Sequence, residues 1–286
     1  MKRIALVYFV YVNAKVNWQE RITRQLNSIK SSGIFKDADL HLVISNPDNT
    51  PNVDKFFKSF GIEIKSTQTH SKNEFEYRGI HKVWELANNK VDPQNSDESC
   101  YDYIIYIHTK GMSYEITHGL KKLKRQIHEV VLTQYTFKDY QKTLEILDKN
   151  QAITKAGAFP KKVTDDDTRD MVWFNFWWAR ASFLKTRVEP VLSDDRFYYE
   201  DWLNKGKDEH SPHDTDSYCT LTQKINQKFT AVEANHDFGV VCDKFKEGFP
   251  ESYWQYQDEM AGIKPSFLTK ILRKVFMHGI LKIIRI

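Results

Sequence analysis

From residue 4 to residue 108, apolar runs of strand length alternate with amphipathic segments of helical length, and this alternation leaves few architectures open. "IALVYFVYV" is rich in Val and Tyr and reads as a core strand. In "NWQERITRQLNSIKSSG", Trp18, Ile22, Leu26 and Ile29 recur at helical spacing, and Gly33 stands where a helix stops. "LHLVIS" is a second strand, closed by the turn cluster "NPDNTPN". A short helix in "VDKFFKSF" leads through Gly61 to "IEIKS". "FEYRGIHKVWELANN" then carries Ile80, Val83, Trp84 and Ala87 on one helical face. After the polar loop "VDPQNSDESC" comes the strand "YDYIIYI". Repeated units of this length predict a mostly parallel, Rossmann-like α/β sheet covered by helices on both faces. Ligands of such sheets sit beyond the carboxyl ends of the strands. There "HTKG", His108 to Gly111, follows the strand.

The second half is less regular. A mainly helical stretch runs from Glu115 to Asn150, followed by "AITKAGAFP" and the loop "KKVTDDDTRD", whose mixed charges read as a solvated turn. An aromatic strand is predicted in "MVWFNFWWAR", helices in "ASFLKTRVEPVL" and from "RFYYEDWLNKG", and a strand in "FTAVEANHDFGVV". No internal repeat or low-complexity tract interrupts them.

A chain of 286 residues that is 41% hydrophobic can bury a large core. Its 42 basic and 38 acidic residues leave a net charge of +4, too small and too dispersed to argue for nucleic acid. Cys100, Cys219 and Cys242 stand far apart in no metal spacing, which suits a reducing, cytoplasmic setting. Lys2 and Arg3 before an apolar run can imitate a signal peptide. The Val and Tyr content, and the lack of a small-residue cleavage site, favour a first strand instead. No window reaches the roughly 18 apolar residues of a membrane span.

Three segments carry a resemblance. "SKNEFEYRGIHKVWELANN" with "YDYIIYI", "WFNFWWARASFL", and "SDDRFYYEDWL" resemble, in this order, the GT-A fold glycosyltransferases of the family 2-like group. They match the helix and strand leading to the Asp-X-Asp site, the acceptor-side strand, and the aromatic-Glu-Asp motif that supplies the base in inverting members. "YIHTKG" is similar to a poorly characterised bacterial and viral group with the same tetrapeptide. The resemblance covers Met1 to about Val241, within a domain expected over 1–262. It implies a donor set of Tyr11, Tyr77, Arg78, His108, Thr109 and Lys110, and an acceptor set of Asn175, Trp177 and Trp178. Asp201 becomes the catalytic base, with Glu200 on acceptor hydroxyls; a one-residue slip exchanges their roles.

The departure from the family pattern is chemical. Where the family holds a divalent metal on aspartates, this chain has His108 and Lys110, and a protonated lysine cannot ligate a hard cation. It can instead stabilise the charge that builds on a leaving nucleoside diphosphate. One unit charge at about 4 Å is worth on the order of 4 kcal/mol at an effective dielectric of 20, so replacing a dication calls for a second cation. Arg78, protonated His108, and Lys121, Lys122, Lys124 and Arg125 of "GLKKLKRQ" are the candidates. The expectation is therefore an inverting, metal-independent transferase with no cofactor and no metal ligands. Manganese or magnesium is the minority alternative.

Blander readings stand beside each of these. His108 and Lys110 read equally as solvated strand-end residues, and Glu200 and Asp201 as first-turn acids favoured by the helix dipole. Asp214 and Asp216 in "HDTDSY" form a literal Asp-X-Asp, but no apolar strand precedes them and a capped turn explains them. His236 is a lone histidine. "WFNFWWAR" packs three Trp and two Phe into eight residues, either an acceptor platform or core. The tail over 263–286 has five Lys or Arg and no acid from Ser266 onward, with Leu268, Ile271, Leu272, Val275 and Phe276 as a helical stripe. It suits an anionic membrane surface on the cytoplasmic side, the protein's own body, or a homodimer partner. The expected partners are a nucleotide sugar and a glycan or lipid-linked acceptor. The rivals are an inactive sugar- or nucleotide-binding protein of the same fold, and a nucleotidyltransferase. The second is disfavoured because "YVNAKVN" lacks a Gly-rich phosphate loop.

Overall fold

The computed structural model describes residues 2–88, 101–109, 112, 120–236, 264, 266–268 and 271. The first half follows the expected alternation: β1 (Ile4–Tyr11), α1 (Trp18–Ser32), β2 (Ala38–Ser45), α2 (Val53–Lys58), β3 (Ile64–His70), α3 (Tyr77–Ala87) and β4 (Tyr103–His108). Helix α1 is capped at both ends by the sequence itself. Asn17 accepts from the Glu20 amide, and Gly33 takes a left-handed conformation at φ 84°.

The second half comprises α4 (Leu120–Phe137), α5 (Tyr140–Lys149), β5 (Ile153–Gly157), β6 (Trp177–Arg180), α6 (Ala181–Leu184), α7 (Phe197–Glu200), β7 (Asp216–Cys219), β8 (Lys224–Ile225) and α8 (Ala231–His236). The described strands form one eight-stranded sheet in the order β3-β2-β1-β4-β6-β5-β7-β8. Strands β1 to β4 pair in parallel. β6 runs antiparallel between β4 and β5, β7 lies parallel to β5, and β8 closes antiparallel. The sheet is thus a mostly parallel, Rossmann-like α/β arrangement with helices on both faces.

Alternation along the strands feeds two cores. Leu6, Tyr8 and Val10 of β1 face α1, α4 and α5; Val7 and Phe9 face α3 and the α6–α7 region. The second layer sits close at Gly79, where a Cβ would lie 2.7 Å from Phe9 Cβ and 2.9 Å from Tyr106 Cε2. Gly79→Ala must push α3 off the sheet. A loss of about 1–3 kcal/mol is expected, read as a lower urea midpoint at unchanged m-value.

Several elements depart from the sequence reading. The mainly helical stretch resolves, from Leu120 onward, into two helices, α4 and α5. The predicted aromatic strand joins the sheet only from Trp177. Before it, Trp173–Asn175 form a tight turn in which Phe174 and Asn175 have φ of 71° and 55°. The predicted helices after β6 and from Arg196 shrink to the single turns α6 and α7. The predicted strand from Phe229 is instead the helix α8 as far as His236. A reciprocal cap starts it, with the Glu233 amide donating to Thr230 Oγ1 at 3.3 Å and the Thr230 amide to Glu233 Oε2 at 2.7 Å. "TAVE" carried that signal in the sequence. Most of the tail lies outside the described residues, within which Phe267 and Leu268 are exposed. Among the described residues no helix is long and apolar enough to cross a membrane.

Candidate functional site

The parallel register brings Tyr11, Ser45, His70 and His108 to one edge of the sheet, since Tyr11 pairs with Ser45, Ser45 with His70, and Phe9 with His108. The loops leaving these ends are stitched together. The Tyr11 amide donates to Thr109 Oγ1 at 2.9 Å, Asn13 Nδ2 to the Met112 carbonyl at 3.2 Å, and the Ala14 amide to Asp48 Oδ2 at 3.2 Å. Thr109 is buried and works here as a fastener between β1 and β4. The Tyr11 phenol, raised by burial and by Asp48, stays protonated. Asn13 and Asp48 belong to this edge but were not singled out in the sequence, because nothing local distinguishes them from ordinary turn residues. Lys110 lies outside the described residues. So do the side chains of Lys121, Lys122, Lys124 and Arg125, whose backbone forms the start of α4.

On the α3 side, Arg78 Nε donates to Glu74 and its guanidinium lies 5.0 Å from the Tyr77 ring centroid. Tyr77 in turn sits 6.3 Å from the Tyr199 ring, so α3 meets α7 through aromatic contacts. His108 is buried rather than solvated. Its Nε2 lies 3.1 Å from the Phe174 carbonyl and its Nδ1 3.7 Å from Glu76 Oε1. Both ring nitrogens face the protein, which corrects the expectation of a free cation pointing at a phosphate. Glu76 also accepts from Tyr106 Oη at 3.0 Å and Asn175 Nδ2 at 2.9 Å. Asn175 donates further to the Tyr199 carbonyl at 2.9 Å.

Trp177 and Trp178, named for the acceptor set but read equally as core, are core: the packing places both indoles wholly inside. The reason is topological: β6 lies between β4 and β5 with helices over both faces. Trp177 joins the α3 layer and donates to Asn175 Oδ1 at 3.1 Å; Trp178 joins the α1–α4 layer and donates to the Thr136 carbonyl at 2.9 Å. A side chain with no exposed face cannot stack on a sugar. Tyr77 and Tyr198, partly buried, and Phe197, exposed, are aromatic rings beside α7 that retain surface.

Glu200 ends α7 and Asp201 follows it. Asp201 Oδ2 takes Lys205 Nζ at 3.1 Å, while Oδ1 is buried with no hydrogen-bond partner among the described residues. Burial raises the Asp201 carboxyl above its ordinary range, against the pull of Lys205. Raised affinity for a proton suits a general base, while the unpartnered oxygen faces inward and must be uncovered to meet an acceptor.

The Lys161–Asp170 loop beneath this site is not the solvated turn its charges suggested. The buried Lys161 ammonium donates to the carbonyls of Lys162, Asp167 and Arg169 at 3.2, 3.0 and 2.9 Å. The Asp170 amide donates to Asn204 Oδ1 at 3.1 Å, tying the loop to the turn after Asp201. Asp167 is held far below its usual range by Arg169 and Lys161, against burial.

The literal Asp-X-Asp is engaged elsewhere. Asp214 accepts from Lys228 Nζ at 2.8 Å and Asp216 from Asn226 Nδ2 at 2.7 Å. Among the described residues no three His, Cys, Asp or Glu side chains converge as a metal-binding group would require. The side chain of His236 is outside the described set.

No protein-family model matches the chain, and no curated protein matches it. Among solved structures it is similar to core-mannan synthase A (CmsA/Ktr4) from Aspergillus fumigatus in its Mn/GDP form. The match has 11% identity and a TM-score of 0.28 over 70% of this chain, which spans 63% of the length of that one. At that identity no residue roles transfer from one to the other.

Proposed function

We propose that the chain is a GT-A-type glycosyltransferase, moving a sugar from a nucleoside-diphosphate donor to a glycan or lipid-linked acceptor with inversion. One observation carries the reading. The three segments behind the resemblance, distant in sequence, meet at one sheet edge through Glu76 and Asn175, which hydrogen-bond Tyr106 of β4 and the Tyr199 carbonyl of α7. The donor lies beyond β1 and β4, where ligands of parallel sheets bind, with Tyr11 and Thr109 lining the edge. Asp201 accepts the acceptor hydroxyl's proton as its oxygen attacks the anomeric carbon, and Glu200 holds neighbouring hydroxyls.

With both His108 nitrogens turned inward, the charge on the departing diphosphate falls to Lys110 and to Arg78 released from Glu74. Cations brought to the diphosphate would act in the transition state without a bound ion. A divalent ion, if held, would supply the same Lewis-acid neutralisation.

The experiment is release of nucleoside diphosphate by purified full-length protein from a panel of nucleotide sugars, with excess chelator and with added manganese. Turnover is expected to survive chelation. Turnover lost to chelation and restored by manganese rejects the metal-independent step, while binding without release points to the inactive binding protein.

A further inference from the structure

Glu76, just before α3, was no part of the sequence-derived site, yet its carboxylate joins three elements. Oε2 accepts from Tyr106 Oη at 3.0 Å and from Asn175 Nδ2 at 2.9 Å, and Oε1 lies 3.7 Å from His108 Nδ1. Hydrogen-bond chemistry fixes the orientation of both neighbours. Asn175 gives its amide hydrogens to Glu76 and the Tyr199 carbonyl, and its oxygen takes the Trp177 indole N–H. A flipped amide would set oxygen against oxygen. A carbonyl can only accept, so the His108 nitrogen against Phe174 bears a hydrogen, and Nδ1 is left to face the carboxylate.

At Nδ1, a lone pair would be repelled by that carboxylate and a second N–H attracted to it. Burial of the ring works against a second proton, and the carboxylate 3.7 Å away works for it. Tyr106 stacks on the ring at 6.2 Å and 11°, and its phenol, pushed well up by burial and by Glu76, stays a neutral donor. The turn presents the Phe174 carbonyl, and Phe176 an apolar ring at 5.2 Å.

We propose that Glu76 is a positioning residue that holds His108 as an imidazolium and, through Asn175, sets the reach from the end of β4 to Glu200 and Asp201. His108 is then a brace whose charge Glu76 compensates, and the consequence for catalysis rests on the transferase reading above. The imidazolium links the start of α3 to the 173–175 turn, and Asn175 carries that link to the carbonyl one residue before Glu200. Loss of the carboxylate charge frees Nδ1 to deprotonate, and the ring, still donating through Nε2 to the Phe174 carbonyl, loses its ionic tie to the start of α3.

The test is a pH titration of the histidine ring nitrogens by NMR in the full chain, with His108→Gln to assign the signal. The His108 midpoint is expected above the ordinary value of about 6.5. Glu76→Gln still accepts from Tyr106 and Asn175 but has no charge, and should lower the midpoint by about one pH unit or more. Glu76→Asp keeps the charge and should stay above the Gln variant. A wild-type midpoint below about 6.5, or one unmoved by Glu76→Gln, overturns the proposal. If the Gln variant does not fold, the wild-type and Asp midpoints still decide. In transfer assays Glu76→Gln should lower kcat by roughly 10- to 100-fold with donor KM within about threefold; a loss confined to KM overturns the positioning role. If the midpoint moves as expected while wild-type protein turns over no donor, the pair stands and the transferase reading falls.

Discussion

Asp201→Asn should cut sugar transfer by roughly 10²- to 10⁴-fold, the range that a positioned general base supplies, while donor affinity stays within about threefold. The amide keeps the shape of the carboxylate and a contact for Lys205, but it cannot take a proton from an attacking hydroxyl. A second readout separates this from misfolding. Burial raises the Asp201 carboxyl in the folded protein, so the folded state binds its proton more readily than the unfolded chain does. Ionising it therefore lowers stability as the pH climbs from the unfolded value of 3.8 through the folded one. Asparagine carries no such cost, so the variant should unfold at the same or a slightly higher temperature at neutral pH and lose that advantage in acid. Thermal unfolding against pH, run beside the transfer assay, checks both. Retained turnover would shift the base to Glu200.

Asp170→Ala should destabilise the fold by about 3–5 kcal/mol, the usual cost of breaking one partner out of a buried ion pair. Lys155 Nζ lies 2.7 Å from Asp170 Oδ2 and 2.7 Å from Thr215 Oγ1, with the two charged side chains 0% and 3% exposed. Removing the carboxylate strands an ammonium between β5 and the loop that supports Asp201. Replacing both partners, with Lys155→Met and Asp170→Leu, should recover much of the loss, because no charge then remains buried. Urea unfolding of the two variants beside the wild type measures this.

The pH dependence of the same pair has a definite sign. Burial raises the Asp170 carboxyl, but Lys155 and the Thr215 amide more than offset it, so its net value is lowered. Its contribution is present above 3.8 and is lost as the pH falls through the lower folded value. Lys155 is lowered to about 8 by burial, against Asp170. The unfolded chain then binds more protons than the folded one between about 8 and 10.5, and the Lys155 contribution to stability rises across that window.

Where the candidate residues of β1 and β4 come together was legible because sequence order and sheet register are coupled. Once β1 and β4 are parallel neighbours, Tyr11 and Thr109 must emerge on the same edge, and the amide of one does reach the hydroxyl of the other at 2.9 Å. Glu200 and Asp201 were singled out from an aromatic-acid motif, and they follow directly on Tyr199 of α7, whose ring lies 6.3 Å from that of Tyr77. Glu76 was missed because its role depends on Asn175, 99 residues away. Lys161 was misread because a lysine in a polar loop reveals nothing about the carbonyls that will close around it.

The chain's own pattern determined the strands β1 to β4, the helices α1 to α3 between them, their parallel sense, and the edge to which Tyr11, Ser45, His70 and His108 come. Each follows from local periodicity plus the crossover that parallel strands require. Only the tertiary structure decided that Trp177 and Trp178 are both core, that His108 turns inward, and that a mixed-charge loop is pinned from within. A period of two tells which residues share a face of β6, but whether that face meets water depends on helices supplied from elsewhere in the chain.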